Sequence, residues 1–246
     1  MKANRKMNKN SLKDYLDRGF KQIGLELNKN QKEQILKYID FLIQENKKYN
    51  LTSITEPKEI VKVHFLDSAG LFLKSDIGGK VIDIGTGAGF PGFVFKILKP
   101  DVKLTLLEAS LKKANFLKML QVELELYEDI EVLHARAEDL GQNKDYRFQY
   151  DYVTSRAVAP LNILLEYTAP FCKNEGKILL YKGPSYQDEL KEAHKAIQKL
   201  NLKYMNSYKL DIPFLDGTRY ILEFVRKNEL SDKYPRRAGI PKKRPL

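Results

Sequence analysis

The stretch VIDIGTGAGFPG, residues 81–92, decides the fold. An apolar run carries Asp83 near its end, and Gly85, Gly87 and Gly89 follow at alternate positions around Thr86. Gly85 permits a tight turn, and Gly87 lets the backbone approach a ligand closely. Pro91 suits the first turn of a following helix. The stretch reads as a strand that hands over to a helix through a glycine-rich turn, an arrangement that often cradles a nucleotide.

On the C-terminal side, short β-rich runs alternate with helical segments. The runs are residues 80–84, 103–108, 130–134, 150–155 and 177–182, and the expected helices are 91–98, 111–124, 160–171 and 186–200. This alternation predicts a mostly parallel sheet with helices on both faces. Residues 208–212 and 218–226 add two strands with no helix between them, hence an antiparallel hairpin at one edge and seven strands in all. On the N-terminal side, helices are expected over 11–27, 30–49 and 57–73, the second opened by a capping box of Asn30 and Glu33. The expected division is a helical N-terminal extension (1–79), an α/β domain (80–228) and an extended basic tail (229–246).

The net charge of +11 sits at the two ends. Residues 1–50 and 226–246 each carry a net +6, around a middle of net −1. Basic ends on a neutral body point to a polyanionic partner, most often nucleic acid. One cysteine, Cys172, excludes an intrachain disulfide and reads as a small core residue. Three scattered histidines make a metal site unexpected. No signal-peptide core and no apolar run of about 18 residues is present, so a cytoplasmic protein without a membrane span is expected.

Three features distinguish the glycine turn from a dinucleotide fingerprint. Asp83 stands two residues before Gly85, where the negative charge would repel a pyrophosphate but can hold an ammonium. The spacing is G-x-G-x-G rather than G-x-G-x-x-G. Glu108 ends the second strand and suits a ribose diol. Together these fit S-adenosylmethionine, which has an amino-acid ammonium and a ribose but no phosphate. After the third strand, Glu138 and Asp139 are both candidates to accept from an adenine amino group. A nicotinamide oxidoreductase is disfavoured by the same features, and a module that binds the cofactor without turnover is the other rival.

The acceptor is narrowed by absences. TSRAVAP (154–160) stands where amine-directed methyltransferases of adenine or cytosine carry an Asn/Asp-Pro-Pro-aromatic turn, and Cys172 does not read as a nucleophile. Guanine N7 has an exposed lone pair and no proton to lose, so orientation and desolvation could suffice. No catalytic side chain is assigned.

DIGTGAGFPG, SRAVAPL, YKG at 181–183, NLTSI with HFLDS, and YPRRAGIPKKRPL occur in one chain in this order. From about residue 30 to the C-terminus the sequence resembles the bacterial 16S rRNA guanine-N7 methyltransferase family, also called glucose-inhibited division protein B. The resemblance implies a class I, Rossmann-like S-adenosylmethionine-dependent fold and a guanine of 16S rRNA, free or in the small ribosomal subunit, as acceptor. It places Gly85 and Phe90 on cofactor positions and Ala137 with Glu138 on the pair after the third strand. Arg156 falls on an arginine that could hold the cofactor's carboxylate or an RNA phosphate. Lys182, at the end of the fifth strand, is expected to meet the target nucleotide, and Arg236, Arg237, Lys242, Lys243 and Arg244 are expected to meet phosphates. His64 and Asp67 are expected to pair and fix the N-terminal helices to the sheet. The first ten residues fall outside the family pattern and are expected to be disordered, and the protein is expected to be a monomer.

Overall fold

The computed structural model describes residues 9–246. Of the first ten residues, 1–8 lie outside those described, and Lys9 and Asn10 open helix α1 (Lys9–Gln22). The long helix α2 (Lys29–Tyr49) starts earlier than expected, and its capping box is Asn28 with Gln31 rather than Asn30 with Glu33. Asn28 Oδ1 accepts from Gln31 N, and Gln31 Oε1 accepts from Asn28 N, both at 2.9 Å. Glutamine closes such a box as well as glutamate does. Here its amide nitrogen also donates to the carbonyls of Ile97 and Leu98, so the cap is chosen by a contact distant in sequence. After α2 come α3 (Pro57–Ile60), a π-helical stretch (Val61–Leu66), α4 (Asp67–Ala69) and a 3₁₀ turn (Gly70–Leu73).

Seven strands form one sheet in the order β3-β2-β1-β4-β5-β7-β6. They are β1 (Lys80–Ile84), β2 (Lys103–Glu108), β3 (Ile130–His134), β4 (Tyr150–Arg156), β5 (Cys172–Lys182), β6 (Leu202–Leu210) and β7 (Arg219–Arg226). The first five pair in parallel, and β7 lies antiparallel between β5 and β6. The expected short strand at 208–212 is corrected to Leu202–Leu210. Its outer half, LKYMNS, is mostly exposed on this edge and has a register shift between Tyr204 and Asn206, so no apolar run marks it. The interposition of β7 is likewise set by pairing. Cys172 opens β5 rather than closing a helix; it is fully buried, and burial pushes its thiol up to about 12.

Helices α5 (Gly92–Leu98), α6 (Leu111–Glu123), α7 (Ala137–Leu140), α8 (Leu161–Thr168), α9 (Tyr186–Glu192) and α10 (His194–Lys199) connect the strands. The expected helix 186–200 is therefore two short ones, and 160–171 ends in a 3₁₀ turn (Ala169–Phe171). One core cluster joins α1, α2 and the segment around Phe65 to one face of the sheet, through Val81, Leu104 and Leu106. A second joins α8 and α10 to the other face, through Ile82, Val153 and Ile178. With both faces covered, β1 and β2 are buried along nearly their whole length, which is why they read as continuous apolar runs.

Tyr38 ties the N-terminal helices to the glycine turn. It is fully buried, its hydroxyl donates to Ala88 O, and its ring stacks on Phe90 with centroids 4.9 Å apart. Gly89 lies at φ 95°, and a Cβ there would collide with the Tyr38 hydroxyl and the Phe93 ring. This glycine serves the packing of α2 against the turn, not a ligand. Tyr38→Phe should leave Ala88 O buried without a donor and cost about 1–2 kcal/mol, read as a lowered urea midpoint at unchanged m-value.

Candidate active site

The C-terminal ends of β1, β2 and β4 meet at one edge of the sheet, where open α/β folds bind ligands. Asp83 stands there fully buried, paired in register with Thr154 and Leu106. Its Oδ2 accepts from Gly92 N at 2.9 Å, while Oδ1 and the neighbouring Thr86 hydroxyl are buried without a hydrogen-bond partner. Burial pushes the Asp83 carboxyl up to about 6, against the pull of the adjacent Thr86 hydroxyl, the Gly92 N–H and Arg156. Buried orphan oxygens of this kind are costly and mark a place that expects a donor.

Gly87, at φ 64°, has nothing nearer its absent Cβ than a backbone oxygen at 4.0 Å, so the turn leaves open space there. Its N–H donates to Glu108 Oε2 at 2.9 Å, and Ser110 N donates to Oε1 at 2.8 Å. Two backbone N–H groups thus aim the carboxylate. Beside it, a cavity of about 150 Å³ is walled by Ile84, Leu107 and Val158, and Gly85, Ala137 and Glu138 also line it. This is a slot with apolar sides and one carboxylate, suited to a flat heteroaromatic ring carrying an amino group. The structure therefore brings Asp83, Gly85, Thr86, Gly87, Glu108, Ala137 and Glu138 to one edge.

Phe90 and Arg156 face elsewhere. Phe90 is buried, with the Tyr38 and His64 rings stacked nearly parallel to its own, so its ring serves the packing of the N-terminal helices on the glycine turn. Arg156 lies over the same ring at 5.5 Å. Its Nη1 donates to Val63 O at 3.0 Å and to Asp67 Oδ2 at 2.8 Å, and its Nη2 to His64 Nδ1 at 3.2 Å. In the structure an internal clasp of Val63 O, His64 and Asp67 holds its guanidinium. The expected His64–Asp67 pair is also corrected, because each residue binds Arg156 rather than the other. A guanidinium can only donate, so His64 Nδ1 carries the lone pair and Nε2–H donates to Thr52 Oγ1 at 3.2 Å. The imidazole is neutral, and burial, aided by Arg156, lowers its pKa to about 3. Asn46 in turn ties down Leu51 and Thr52, which accounts for the NLTSI stretch.

A larger cavity, about 410 Å³, lies on the other side of the SRAVAP turn, between that clasp and the end of β5. Lys182 lines it, but its ammonium is engaged with Glu189 Oε2 at 2.7 Å and Ala159 O at 3.0 Å. Lys182, expected to meet the target nucleotide, is held here by the carboxylate from α9.

The C-terminal segment is not the extended tail expected from its prolines and cations. Tyr234 is buried, and Arg147 grips the carbonyls of Tyr234 and Leu230. Arg236 forms a forked pair with Glu166, which is fully buried, through Nε–Oε1 at 2.9 Å and Nη2–Oε2 at 2.7 Å. Gly239 N donates to Glu138 Oε1 at 3.0 Å, and a last short helix, α11 (Ile240–Lys243), follows. The segment is a strap packed against α7 and α8. Arg236 is consequently an internal staple, whereas Arg237, Lys242, Lys243 and Arg244 remain exposed. Arg147, Glu166 and Glu189 carry no signal in the sequence, because each acts through a partner in another element, whereas Thr52 stands within the NLTSI stretch. Among the described residues, no group of three or more metal-ligating side chains comes together, and no helix is long and apolar enough to cross a membrane.

Comparison with known proteins matches this architecture. The family model for GidB, rRNA small subunit methyltransferase G, covers residues 31–213. Ribosomal RNA small subunit methyltransferase G of Alkaliphilus oremlandii is 44% identical over 96% of this chain and 99% of its own length. The protein of the same name from Desulforamulus reducens is 42% identical over the same shares. Among solved structures, the mitomycin 7-O-methyltransferase MmcR superposes with a TM-score of 0.55 at 17% identity, over 76% of this chain and 60% of its own. M. jannaschii TYW2 in complex with AdoMet gives 0.51 at 15% identity, over 65% of this chain and 74% of its own. These structural likenesses are of fold.

Arg236→Ala should strand the Glu166 carboxylate in the core and cost about 3 kcal/mol, measured by urea denaturation. A free arm would lose nothing, so an unchanged midpoint would refute the strap.

Proposed function

The chain belongs to the rRNA small subunit methyltransferase G family, and from that premise we propose that it transfers a methyl group from S-adenosylmethionine to N7 of a guanine in 16S rRNA. The observation that carries the cofactor reading is the set of buried carboxylates at one sheet edge, with Asp83 Oδ1 lacking a donor. S-adenosylmethionine would supply there an electrophilic methyl on a cationic sulfur. Asp83 would hold its ammonium, Glu108 the ribose hydroxyls, and Glu138 the adenine amino group within the apolar slot. Thr86 offers its hydroxyl beside Asp83. Gly85 and Gly87 give the backbone clearance.

Guanine N7 enters the reaction with its own lone pair, so this chain need not remove a proton. Its task is to hold the base and exclude water. His64, neutral and fully engaged, and Cys172, in the core, are accordingly not offered to the acceptor. For the RNA, Arg237, Lys242, Lys243 and Arg244 on the strap and its last helix are the cations free to meet phosphates.

The deciding experiment supplies labelled S-adenosylmethionine and 30S subunits lacking their own modifications, then digests the RNA. Label should appear in 7-methylguanosine of 16S rRNA. Label in a different nucleoside would overturn the acceptor, and absence of label would overturn the transferase reading. A second expectation concerns pH. The free protein holds the proton on Asp83 up to about 6, whereas an ammonium ligand favours the carboxylate, so binding should release that proton. Cofactor affinity should rise as pH increases from 5 to 7 and then level off. In Asp83→Asn, calorimetry should find weaker binding without that rise.

A further inference from the structure

The cavity of about 410 Å³ between the Arg156 clasp and the end of β5 is not used by the cofactor groups assigned above. It is within the size range of small-ligand pockets. Its position is informative. Ala157 lines it, and the next residue, Val158, lines the slot that also contains Gly85 and Glu138. The SRAVAP turn is therefore the partition between the two spaces, and a ligand in each would meet at that turn.

Its chemistry is that of a base-reading chamber. Asp67 is 4% exposed; Oδ2 takes the Arg156 bond, and Oδ1 is buried with no hydrogen-bond partner. Arg219 Nε stands 3.8 Å from that oxygen, beyond hydrogen-bond reach. Arg219 itself is about a third exposed, with a side-chain exposure of 31%. A buried carboxylate oxygen left unsatisfied in the wall of a cavity, beside an arginine able to move, calls for a donor. Across the same chamber, Glu189 accepts from Lys182 and from Leu161 N through Oε2 alone. Arg156, Lys182 and Arg219 outnumber Asp67 and Glu189, which leaves the lining net positive.

Resting on the methyltransferase reading above, we propose that this chamber receives the acceptor guanine by its Watson–Crick edge, with Asp67 accepting from the ring N1–H and the exocyclic amino group. The reaction itself dictates which edge is read. N7 must face the methyl group, so contacts must fall on the opposite side of the base, where guanine presents donors. Enzymes acting on a base commonly read it along that edge after removing it from the stack. Adenine presents its only exocyclic amino group at a different position and no N1–H, so a carboxylate here discriminates against it. Arg219 is placed to release Asp67 and turn to guanine O6 or to the attached phosphate. Gly183 lines the chamber: a Cβ at this position would meet nothing within 4 Å, and its backbone is not left-handed, so a side chain there does not strain the fold.

The test uses the full-length protein saturated with S-adenosylhomocysteine and measures binding of GMP and of inosine monophosphate, which lacks only the exocyclic amino group. GMP should bind about ten- to a hundredfold more tightly, the range expected for a hydrogen bond to a charged group. In Asp67→Asn the Arg156 bond requires the amide oxygen, which turns the amide nitrogen toward the base, donor against donor, and the preference for GMP should vanish. Gly183→Leu should abolish binding of both nucleotides while calorimetric affinity for S-adenosylhomocysteine stays unchanged, and this holds the test open if Asp67→Asn does not fold. No measurable GMP binding at millimolar concentration, equal binding of the two nucleotides, or GMP binding undiminished in Gly183→Leu would each overturn the assignment. The 7-methylguanosine assay on 30S subunits separates the two failures. Its failure in the unmodified protein removes the methyltransferase reading, whereas methylation without a GMP preference removes only this chamber.

Discussion

The site depends on one guanidinium. Arg156 leaves the end of β4 and joins three groups of the N-terminal helices: a backbone carbonyl at Val63, the His64 ring and the Asp67 carboxylate. A forked, planar donor is what such a constellation requires; a lysine would supply charge without the geometry. The π-helical stretch around Val63 presents that carbonyl to the side, a distortion that tends to mark functional places in helices. Through this clasp the helices become a wall of the larger chamber. Through Phe90, sandwiched beneath His64, they also brace the glycine turn.

The polar groups at this edge are arranged unevenly. Glu108 and Glu189 are each aimed by donors from the protein, which fixes their position. Asp83 and Asp67 each keep one oxygen buried and unsatisfied. Asp67 lines the larger chamber, and Asp83 is fully buried near the end of β1. Unsatisfied buried carboxylate oxygens destabilise the free protein, and a bound donor would remove that cost.

Net charge misleads about where this protein meets a polyanion. The C-terminal excess includes Arg226, buried against Cys172 O, and Arg236, forked onto Glu166. Both are structural. The segment that follows β7 folds back against α7 and α8 and contributes the Gly239 N–H to Glu138. The cations left exposed beyond it are thereby displayed at a defined place beside the slot instead of on a loose arm.

By itself, the sequence determined the alternation of strands and helices, the glycine turn, and the acids around it, because these depend on local periodicity and on residues within one strand–turn–helix unit. Strands β1, β2 and β3 carry the expected bounds for that reason, Asp83 and Glu108 stand near strand ends where their spacing placed them, and Glu138 lies in the first turn of α7 just beyond β3. Tertiary structure alone decided the rest. Whether an arginine faces a ligand or an internal carboxylate depends on what lies opposite it, and Arg156, Lys182 and Arg236 each meet a partner contributed by another element. The shift of the capping box to Asn28, the full length of β6, the insertion of β7 and the folding back of the tail follow the same rule. Each is fixed by a contact between residues far apart in the chain, and no local pattern records such a contact.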